Sequence, residues 1–181
     1  PSSLSEEIGS TYSENISKEQ KKILGQFFTP SKVANFMAGL FNFNIQPKKI
    51  RILDPGCGAL SLSCALVERI IDQNNQIQKI EIDAFDTDPL LKNIVTKVSN
   101  ALKSWGKEKG VEINVNYSNS DFLLSHKIHL EKDLNTPVYD FVVSNPPYFK
   151  IKKEDLRISV FNSPLKGQQN IYSLFLLGAS K

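Results

Sequence analysis

The stretch IRILDPGCGA, residues Ile50–Ala59, joins a short apolar strand to a turn that contains two glycines. A helical pattern follows, with four apolar residues on one face: Leu62, Ala65, Leu66 and Ile70. A strand, a glycine turn and a helix in this order are typical of α/β folds that cradle a nucleotide, because glycine lets the backbone approach a ligand closely. The stretch therefore predicts the first unit of an α/β sheet with a ligand at the end of its strand.

The turn itself limits which ligand fits. The dinucleotide fingerprint requires a third glycine after Gly58, and Ser61 stands at that position, which argues against a hydride-transfer enzyme. The leading Asp54-Pro55 instead suggests a ligand with an ammonium group, for which Asp54 supplies the counter-charge. On these residues alone, a tight turn in which Asp54 caps the helix is an equal alternative.

Three further strands are predicted at 80–85, 111–117 and 138–143, the last of them starting from Pro137. Rossmann-like folds hold ribose hydroxyls with an acid at the end of the second strand, which suggests Asp86. Asp88 is predicted to cap a long helix with a helically spaced apolar face: Leu91, Ile94, Val95, Val98, Leu102 and Trp105. Because strands and helices alternate, we expect a mostly parallel sheet with helices on both faces.

The tetrapeptide Asn145-Pro146-Pro147-Tyr148 follows the fourth strand and Ser144. Its two prolines forbid continuation of the strand, and Pro146 holds Asn145 extended. The Asn145 side-chain oxygen and the Pro146 carbonyl can each accept one N–H of a planar amino group such as that of adenine. This would draw the nitrogen towards tetrahedral geometry and free its lone pair, while Tyr148 stacks on the ring. The alternative is an ordinary Asn-Pro-Pro turn with a packed tyrosine.

The N-terminal part is predicted to contain a polar arm and two helices. Residues 1–16 are expected to be a loose arm, and Ser17–Leu24 has the capping-box pattern of a short helix. Gln26–Pro30, the string QFFTP, opens a second helix with Thr29 as its N-cap and Pro30 in its first turn. The predicted buried stripe of that helix is Val33, Phe36, Met37, Leu40 and Phe41.

Composition is that of an ordinary globular domain. The 181 residues are 40% hydrophobic and carry a net charge of +3, which allows a sizeable core and permits a polyanionic partner. Cys57 and Cys64 match neither a disulfide framework nor a metal spacing, so we expect a reducing, cytoplasmic location. His126 and His129 have no acidic or cysteine partners at ligand spacing, so a metal site is not expected. With no long apolar run and no signal peptide, a membrane partner is not expected either.

The segment after the tetrapeptide is basic. It contains five cationic residues: Lys150, Lys152, Lys153, Arg157 and Lys166. Such a run is usually a solvated loop. Beside a candidate base pocket, a loop that contacts DNA phosphates is about equally well supported, with Lys150, Lys152 and Lys153 as the candidate contacts.

Six stretches, in their order along the chain, resemble motifs of the γ-class DNA adenine-N6 methyltransferases of bacterial restriction–modification systems. The resemblance covers residues 25–178. Gln26–Pro30 is similar to the family's N-terminal cofactor motif, Asp54–Gly58 to its glycine loop for S-adenosylmethionine, and Asn145–Tyr148 to its catalytic tetrapeptide. The remaining matches are Asp86 to the ribose-binding acid, Asp121-Phe122 to the adenine-binding pair, and Asn170-Ile171-Tyr172 with Phe175 to the helix that closes over the cofactor.

The resemblance implies a Rossmann-like methyltransferase fold, truncated before its last strands. Residues 25–181 would form this partial catalytic domain and 1–24 an N-terminal arm and short helix, with the target-recognition domain absent. The implied catalytic residues are Asn145, Pro146, Pro147 and Tyr148. The implied cofactor-binding residues are Phe28, Thr29, Pro30, Asp54, Gly56, Cys57, Gly58, Asp86, Asp121, Phe122, Asn145 and Phe175. The implied cofactor is S-adenosylmethionine, and no metal is expected for methyl transfer. The expected partners are double-stranded DNA and a restriction endonuclease or specificity module, fused or separate.

Leu60 is the main departure from the family pattern. It stands where the family usually has a further glycine, so its side chain is expected to crowd the cofactor or shift the start of the helix. This departure favours one alternative, a catalytically silent cofactor-binding fragment. Another alternative is methylation of a protein glutamine or an RNA base, because those enzymes share the Asn-Pro-Pro-Tyr motif. The Phe-Phe-Thr-Pro segment and the Asn-Ile-Tyr helix favour the DNA enzymes.

Overall fold

The structure is a computed structural model that describes residues 1–17, 28–41, 46–125, 138–152, 154–159 and 170–179. From β1 to β4, strands alternate with helices. The elements in chain order are α1 (Ser2–Asn15), α2 (Ser31–Gly39), β1 (Lys49–Pro55), α3 (Ser61–Gln73), β2 (Lys79–Phe85), α4 (Leu91–Glu108), β3 (Glu112–Ser118), α5 (Phe122–Ser125), β4 (Phe141–Val142), α6 (Leu156–Ser159) and α7 (Ile171–Ala179).

The described strands form one parallel sheet in the order β3-β2-β1-β4. The register of β1 on β2 runs from Lys49 opposite Lys79 to Pro55 opposite Phe85. The chain moves outward from β1 to β3 and then returns to place β4 on the other side of β1. The crevice at the carboxyl ends of β1 and β4 is therefore the topological switch point, where α/β sheets bind ligands.

Each face of the sheet is covered by its own apolar cluster, which confirms the predicted architecture with helices on both faces. Alternate residues of β1 face opposite ways: Ile50 and Ile52 belong to the larger cluster, whereas Leu53 belongs to the smaller one. The larger cluster includes the apolar stripes of α3 and α4 that the sequence predicts. The smaller cluster packs Leu53 against residues of α5 and α7, including Phe122, Leu174 and Phe175.

The N-terminal segment is not a loose arm, and that expectation was wrong. Residues Ser2–Asn15 form α1, which contacts α2, α3 and α4. Apolar periodicity is weak in this helix, and buried polar contacts add to the packing of Ile8 and Tyr12 against the larger cluster. The fully buried Ser5 hydroxyl donates to the carbonyl of Ala59 at 2.6 Å and lies 2.9 Å from the hydroxyl of Ser61.

The predicted buried stripe of α2 is also wrong in part. Met37 and Phe41 do pack against the larger cluster, but Phe36 is 69% exposed, and Val33 and Leu40 are exposed as well. The fully buried face of the helix consists of Ala34 and Ala38. Small residues at i and i+4 allow a close approach to α3, so the large side chains turn outward.

Two predicted boundaries also differ. Pro30, not Thr29, is the N-cap of α2. The first free backbone N–H of that helix, at Ser31, donates to Oε1 of Glu6 on α1 at 3.0 Å, so another helix supplies the cap. The fourth strand pairs only at Phe141–Val142, although Asp140 and Val143 continue its hydrogen bonds to β1. The predicted helix at Ser17–Leu24, apart from Ser17, and both histidines lie outside the described residues.

Within the described part of the chain, every helix is too short or too polar to cross a membrane.

Candidate functional site

A cavity lies at the carboxyl ends of β1, β2 and β4, at the switch point. Every residue that the sequence suggested for the cofactor lines it except Pro30, which is exposed. These residues are Phe28, Thr29, Asp54, Gly56, Cys57, Gly58, Asp86, Asp121, Phe122, Asn145 and Phe175. Six stretches that are distant in sequence thus converge on one cavity.

The glycine loop is held against the end of β2. The backbone N–H groups of Gly56 and Cys57 both donate to the carbonyl of Phe85 at 2.8 Å, and that of Gly58 donates to Oδ2 of Asp86 at 2.9 Å. Gly56 and Gly58 have φ values of +79° and +52°, in the left-handed region that glycine adopts without strain. The loop is therefore shaped by the protein's own hydrogen bonds.

Leu60 also has a left-handed backbone, with φ of +65° and ψ of +24°. This explains why a glycine would suit the position, since a side chain there costs about 1–2 kcal/mol. The Leu60 side chain is fully buried in the larger apolar cluster and does not line the cavity. The expectation that it crowds the ligand is therefore wrong, and α3 begins directly after it at Ser61.

Asp54 is a buried carboxylate in the wall of the cavity. Its Oδ2 accepts a 2.5 Å hydrogen bond from the Ser63 hydroxyl, while Oδ1 has no hydrogen-bond partner among the described residues. Burial, opposed in part by the Ser63 hydrogen bond, raises the pKa of Asp54 to about 7. A buried carboxylate with one unpaired oxygen fits a ligand that supplies a positively charged N–H donor.

Two more carboxylates stand after β2. Asp86 accepts from the backbone N–H of Gly58 through Oδ2 and from that of Asp88 through Oδ1. Burial raises the pKa of Asp86 above its usual value, although these backbone donors oppose the shift. Asp88 was predicted to cap the helix that follows, but the N-cap of α4 is Leu90, and Oδ1 of Asp88 accepts from the backbone N–H of that residue. Asp88 also lines the cavity and accepts a 2.5 Å hydrogen bond from the hydroxyl of Tyr12 on α1. The sequence contains no local signal for that contact.

Aromatic rings form the opposite wall of the cavity. The rings of Phe85 and Phe122 have centroids 5.7 Å apart, and those of Phe122 and Phe175 lie 5.9 Å apart. Asp121 stands directly before α5, and its Oδ1 accepts from the backbone N–H of Leu124 at 3.1 Å. A flat apolar surface beside a carboxylate suits a purine with an exocyclic amino group.

The tetrapeptide is anchored to both sides of the cavity. The Ser144 hydroxyl donates to the carbonyl of Pro55 at 2.8 Å, and Nδ2 of Asn145 donates to the Thr29 hydroxyl at 3.2 Å. The hydroxyl of Tyr148 donates to Oδ1 of Asn145 at 3.1 Å. Its ring stacks on that of Tyr172, with centroids 6.1 Å apart and planes 17° apart. Asn145 is thus placed where the cavity wall meets the surface.

Comparison with known proteins shows the family to which the chain belongs. A family model described as N-6 DNA Methylase matches residues 7–175 of the chain. The chain belongs to the N-6 DNA methylase family. The type II methyltransferase M.BsuBI of Bacillus subtilis is 30% identical over 165 residues, which cover 87% of this chain and 31% of that protein. M.PstI of Providencia stuartii is 27% identical over 179 residues, which cover 99% of this chain and 34% of that protein. The chain therefore spans about a third of the length of these relatives.

Solved structures confirm the Rossmann-like methyltransferase fold. A Listeria monocytogenes protein described as a class I S-adenosylmethionine-dependent methyltransferase has a TM-score of 0.62 and 19% identity, covering 95% of this chain and 46% of its own. A modification subunit of a type I restriction enzyme from Vibrio vulnificus YJ016 has a TM-score of 0.63 and 19% identity, covering 95% of this chain and 34% of its own. At this level of identity the likeness shows the fold.

Among the tetrapeptide residues, Pro147 lines the cavity, Pro146 is buried, and Tyr148 is 56% exposed. Lys150 and Lys152 are exposed on the segment that follows, and Lys153 lies outside the described residues. Arg157, which the sequence placed in the same basic run, is instead paired with two carboxylates.

Proposed function

We propose that the protein containing this chain is an S-adenosylmethionine-dependent DNA methyltransferase that acts on the N6 amino group of adenine within a restriction–modification system. The observation that carries the proposal is the position of Asn145. This residue belongs both to the wall of the cavity and to the rigid tetrapeptide at its rim. A methyl donor in the cavity and an amino group on Asn145 would therefore be neighbours.

Each chemical part of S-adenosylmethionine has residues in the cavity that could bind it. The unpaired Oδ1 of buried Asp54 would accept from the ammonium group of the methionine end. Asp86 would accept from the ribose hydroxyls, and Asp121 with Phe122 would hold the amino edge and the face of the adenine. When bound, the cofactor supplies the methyl group of its sulfonium. The leaving group is the neutral thioether of S-adenosylhomocysteine.

Asn145, Pro146 and Tyr148 would hold the target base. The Asn145 oxygen and the Pro146 carbonyl each accept one amino N–H, which localises the nitrogen lone pair for attack. Extrusion of the base from duplex DNA costs a few kcal/mol, which stacking on the exposed ring of Tyr148 would partly offset. Three lysines after the tetrapeptide would contact DNA phosphates. They are the exposed Lys150 and Lys152, and Lys153, which lies outside the described residues.

The partners are proposed from the relatives. M.BsuBI and M.PstI are named as type II methyltransferases, and the Vibrio vulnificus neighbour as a modification subunit of a type I enzyme. We therefore propose that the full protein works with double-stranded DNA and with a restriction endonuclease or specificity module, fused or separate.

The test is methyl transfer from radiolabelled S-adenosylmethionine by the full-length protein. Duplex DNA, total RNA and total protein are offered separately, and labelled DNA is digested to nucleosides. We expect the label in N6-methyladenine. Label in RNA or in protein glutamine would show that the protein methylates one of those planar nitrogens instead. Cofactor binding without transfer to DNA, RNA or protein would indicate a catalytically silent protein.

A further inference from the structure

Arg157 connects two parts of the site that the sequence treats separately. It lies on α6, beyond the tetrapeptide, and its Nη1 is 3.5 Å from Oδ2 of Asp121 in the cavity wall. Its guanidinium also lies over the ring of Phe149, the residue after the tetrapeptide, at 5.5 Å from the centroid. One side chain therefore contacts the carboxylate of the proposed adenine subsite and the segment that follows the tetrapeptide.

Asp155 fixes the orientation of this guanidinium. Arg157 donates through Nε to Oδ1 of Asp155 at 2.8 Å and through Nη2 to Oδ2 at 2.6 Å, a two-pronged pair. These hydrogen bonds keep the pKa of Asp155 below its usual value. The fork is planar and rigid, so fixing two of its nitrogens also fixes the direction of the third, Nη1.

Asp121 is consequently held from both sides. Its Oδ1 accepts from the backbone N–H of Leu124, and its Oδ2 faces Nη1 of Arg157. A carboxylate has about four acceptor sites, so Asp121 keeps capacity for about two more N–H groups while both of these contacts persist. Leu124 and Arg157 do not line the cavity, whereas Asp121 does, so contacts outside the cavity orient a carboxylate that can still accept from a ligand.

We propose that Arg157 is a positioning residue that orients Asp121 towards the amino edge of the cofactor's adenine. This inference rests on the proposed function, and adds to it a residue outside the matched motifs. It also assigns a role to Arg157, a cation of the basic segment for which the sequence alone predicts none. With Nε and Nη2 on Asp155 and Nη1 on Asp121, the hydrogen-bonding edges of Arg157 are directed to protein carboxylates.

The experiment compares two ligands that differ at the purine edge that carries the adenine amino group. The full-length protein is titrated calorimetrically with S-adenosylhomocysteine and with S-inosylhomocysteine, in which a keto oxygen replaces the amino group and N1 carries a hydrogen. A hydrogen bond to a charged acceptor contributes about 1.5–3 kcal/mol, so we expect the wild type to prefer S-adenosylhomocysteine about 10–100-fold. Arg157→Ala should reduce this preference to within a few-fold, and Arg157→Lys, which keeps the charge but not the fork, should give an intermediate value.

Arg51 provides a matched control. It also pairs with a carboxylate, Asp83, at 3.3 Å and lies over an aromatic ring, that of Tyr139, at 5.0 Å, but it does not line the cavity. Arg51→Ala should lower stability without changing the ratio of the two affinities. Asp121→Asn should lose the preference, and combining it with Arg157→Ala should cause little further loss, because both act on one contact.

The outcomes separate the two proposals. If Arg157→Ala weakens both ligands equally and keeps the preference, Arg157 is only structural and the inference is overturned, whereas the proposed function stands. A wild type that binds both ligands equally overturns the adenine contact of Asp121 and the inference with it. A wild type that binds neither ligand overturns the proposed function itself. Thermal unfolding of each variant identifies any that fail to fold, and Arg157→Lys then decides.

Discussion

The hydroxyl of Tyr148 donates a 3.1 Å hydrogen bond to Oδ1 of Asn145, the acceptor that the proposed reaction requires. The ring of Tyr148 stacks on Tyr172 of α7 at the same time. The Asn145 oxygen therefore already accepts one hydrogen bond before any substrate arrives, and an incoming amino group competes with the phenol for this acceptor. The Asn145 oxygen then has a hydrogen-bond donor both with and without substrate, which lowers the free-energy cost of holding this acceptor at the rim of the cavity.

Replacing the phenol of Tyr148 by a phenyl ring should therefore strengthen substrate binding. Tyr148→Phe keeps the stacking surface and removes the competing donor, so we expect a lower KM for DNA and a kcat within a few-fold of the wild type. Steady-state methylation of duplex DNA by the full-length protein measures both. Tyr172→Phe, which keeps its own ring, is the control. A raised KM in Tyr148→Phe would mean that the hydroxyl contacts the substrate instead of competing with it.

Asn145→Ala should abolish transfer and leave cofactor binding nearly unchanged. The variant removes an acceptor for charge that develops at the reacting nitrogen, an effect on the order of 10²–10³-fold in rate. Rate is measured by radiolabel incorporation into DNA, and affinity by titration with S-adenosylhomocysteine. Asn116→Ala is the control, since Asn116 donates to Asp83 on the exposed surface. Retained methylation in Asn145→Ala would remove Asn145 from the mechanism.

Cofactor affinity should depend on pH through Asp54. The pKa of this carboxyl is about 7 in the protein, so it is mostly neutral at pH 5.5 and half ionised at pH 7. A ligand ammonium needs the ionised form, so affinity for S-adenosylhomocysteine should rise about 15-fold over this range. Asp54→Asn should bind weakly with a flat profile, whereas Asp72→Asn, a change at an exposed position of α3, should behave as the wild type. A wild-type profile without this rise would contradict the ammonium contact.

The raised pKa of Asp54 also predicts how the stability of the ligand-free protein depends on pH. Its pKa in the folded protein lies above the value of 3.8 that an exposed aspartate has, so the folded state binds more protons between these values. The contribution of Asp54 to the free energy of unfolding therefore falls as pH rises from about 4 through 7. Urea unfolding across this window should show a smaller decline for Asp54→Asn than for the wild type.

Leu60→Gly should cost less stability than the same change at a helical position. Leu60 and Leu66 are both fully buried, but only Leu60 has a positive φ. Both glycine variants lose a core side chain, whereas glycine relieves about 1–2 kcal/mol of strain at position 60 and costs about 1 kcal/mol within α3 at position 66. We therefore expect Leu60→Gly to be about 2–3 kcal/mol more stable than Leu66→Gly in urea unfolding. Equal losses would show that the backbone at position 60 is unstrained.

The docking of α1 can be tested at a single hydroxyl. Ser5→Ala removes the buried donor to Ala59 and the contact with Ser61, which should lower the free energy of unfolding by about 1–3 kcal/mol. Ser10→Ala on the exposed side of the same helix should stay within about 0.5 kcal/mol of the wild type. If the two variants are equally stable, the Ser5 hydroxyl does not contribute to the docking of α1.

The sequence predicts the sheet and the cavity well because both depend on residues with strong local preferences. Apolar strands, left-handed glycines and the Pro146-Pro147 stop are local features, and parallel topology brings their ends together. Contacts that depend on distant polar partners have no such signal. The buried hydroxyl of Ser5, the capping of Ser31 by Glu6 and the pairing of Arg157 with Asp121 are of this kind. The outward turn of Phe36 likewise follows from how closely two helices approach.

The hydrogen bond from Asn145 to Thr29 joins residues 116 positions apart. The two ends of the binding cavity are therefore brought together only when the intervening chain has folded. A ligand that bridges them must stabilise the whole domain by RT ln(1 + [L]/Kd), about 2.7 kcal/mol at a hundredfold excess over Kd. Protection from proteolysis should extend to cleavage sites remote from the cavity, so a protease digest with and without cofactor reports the cooperativity of the entire fold.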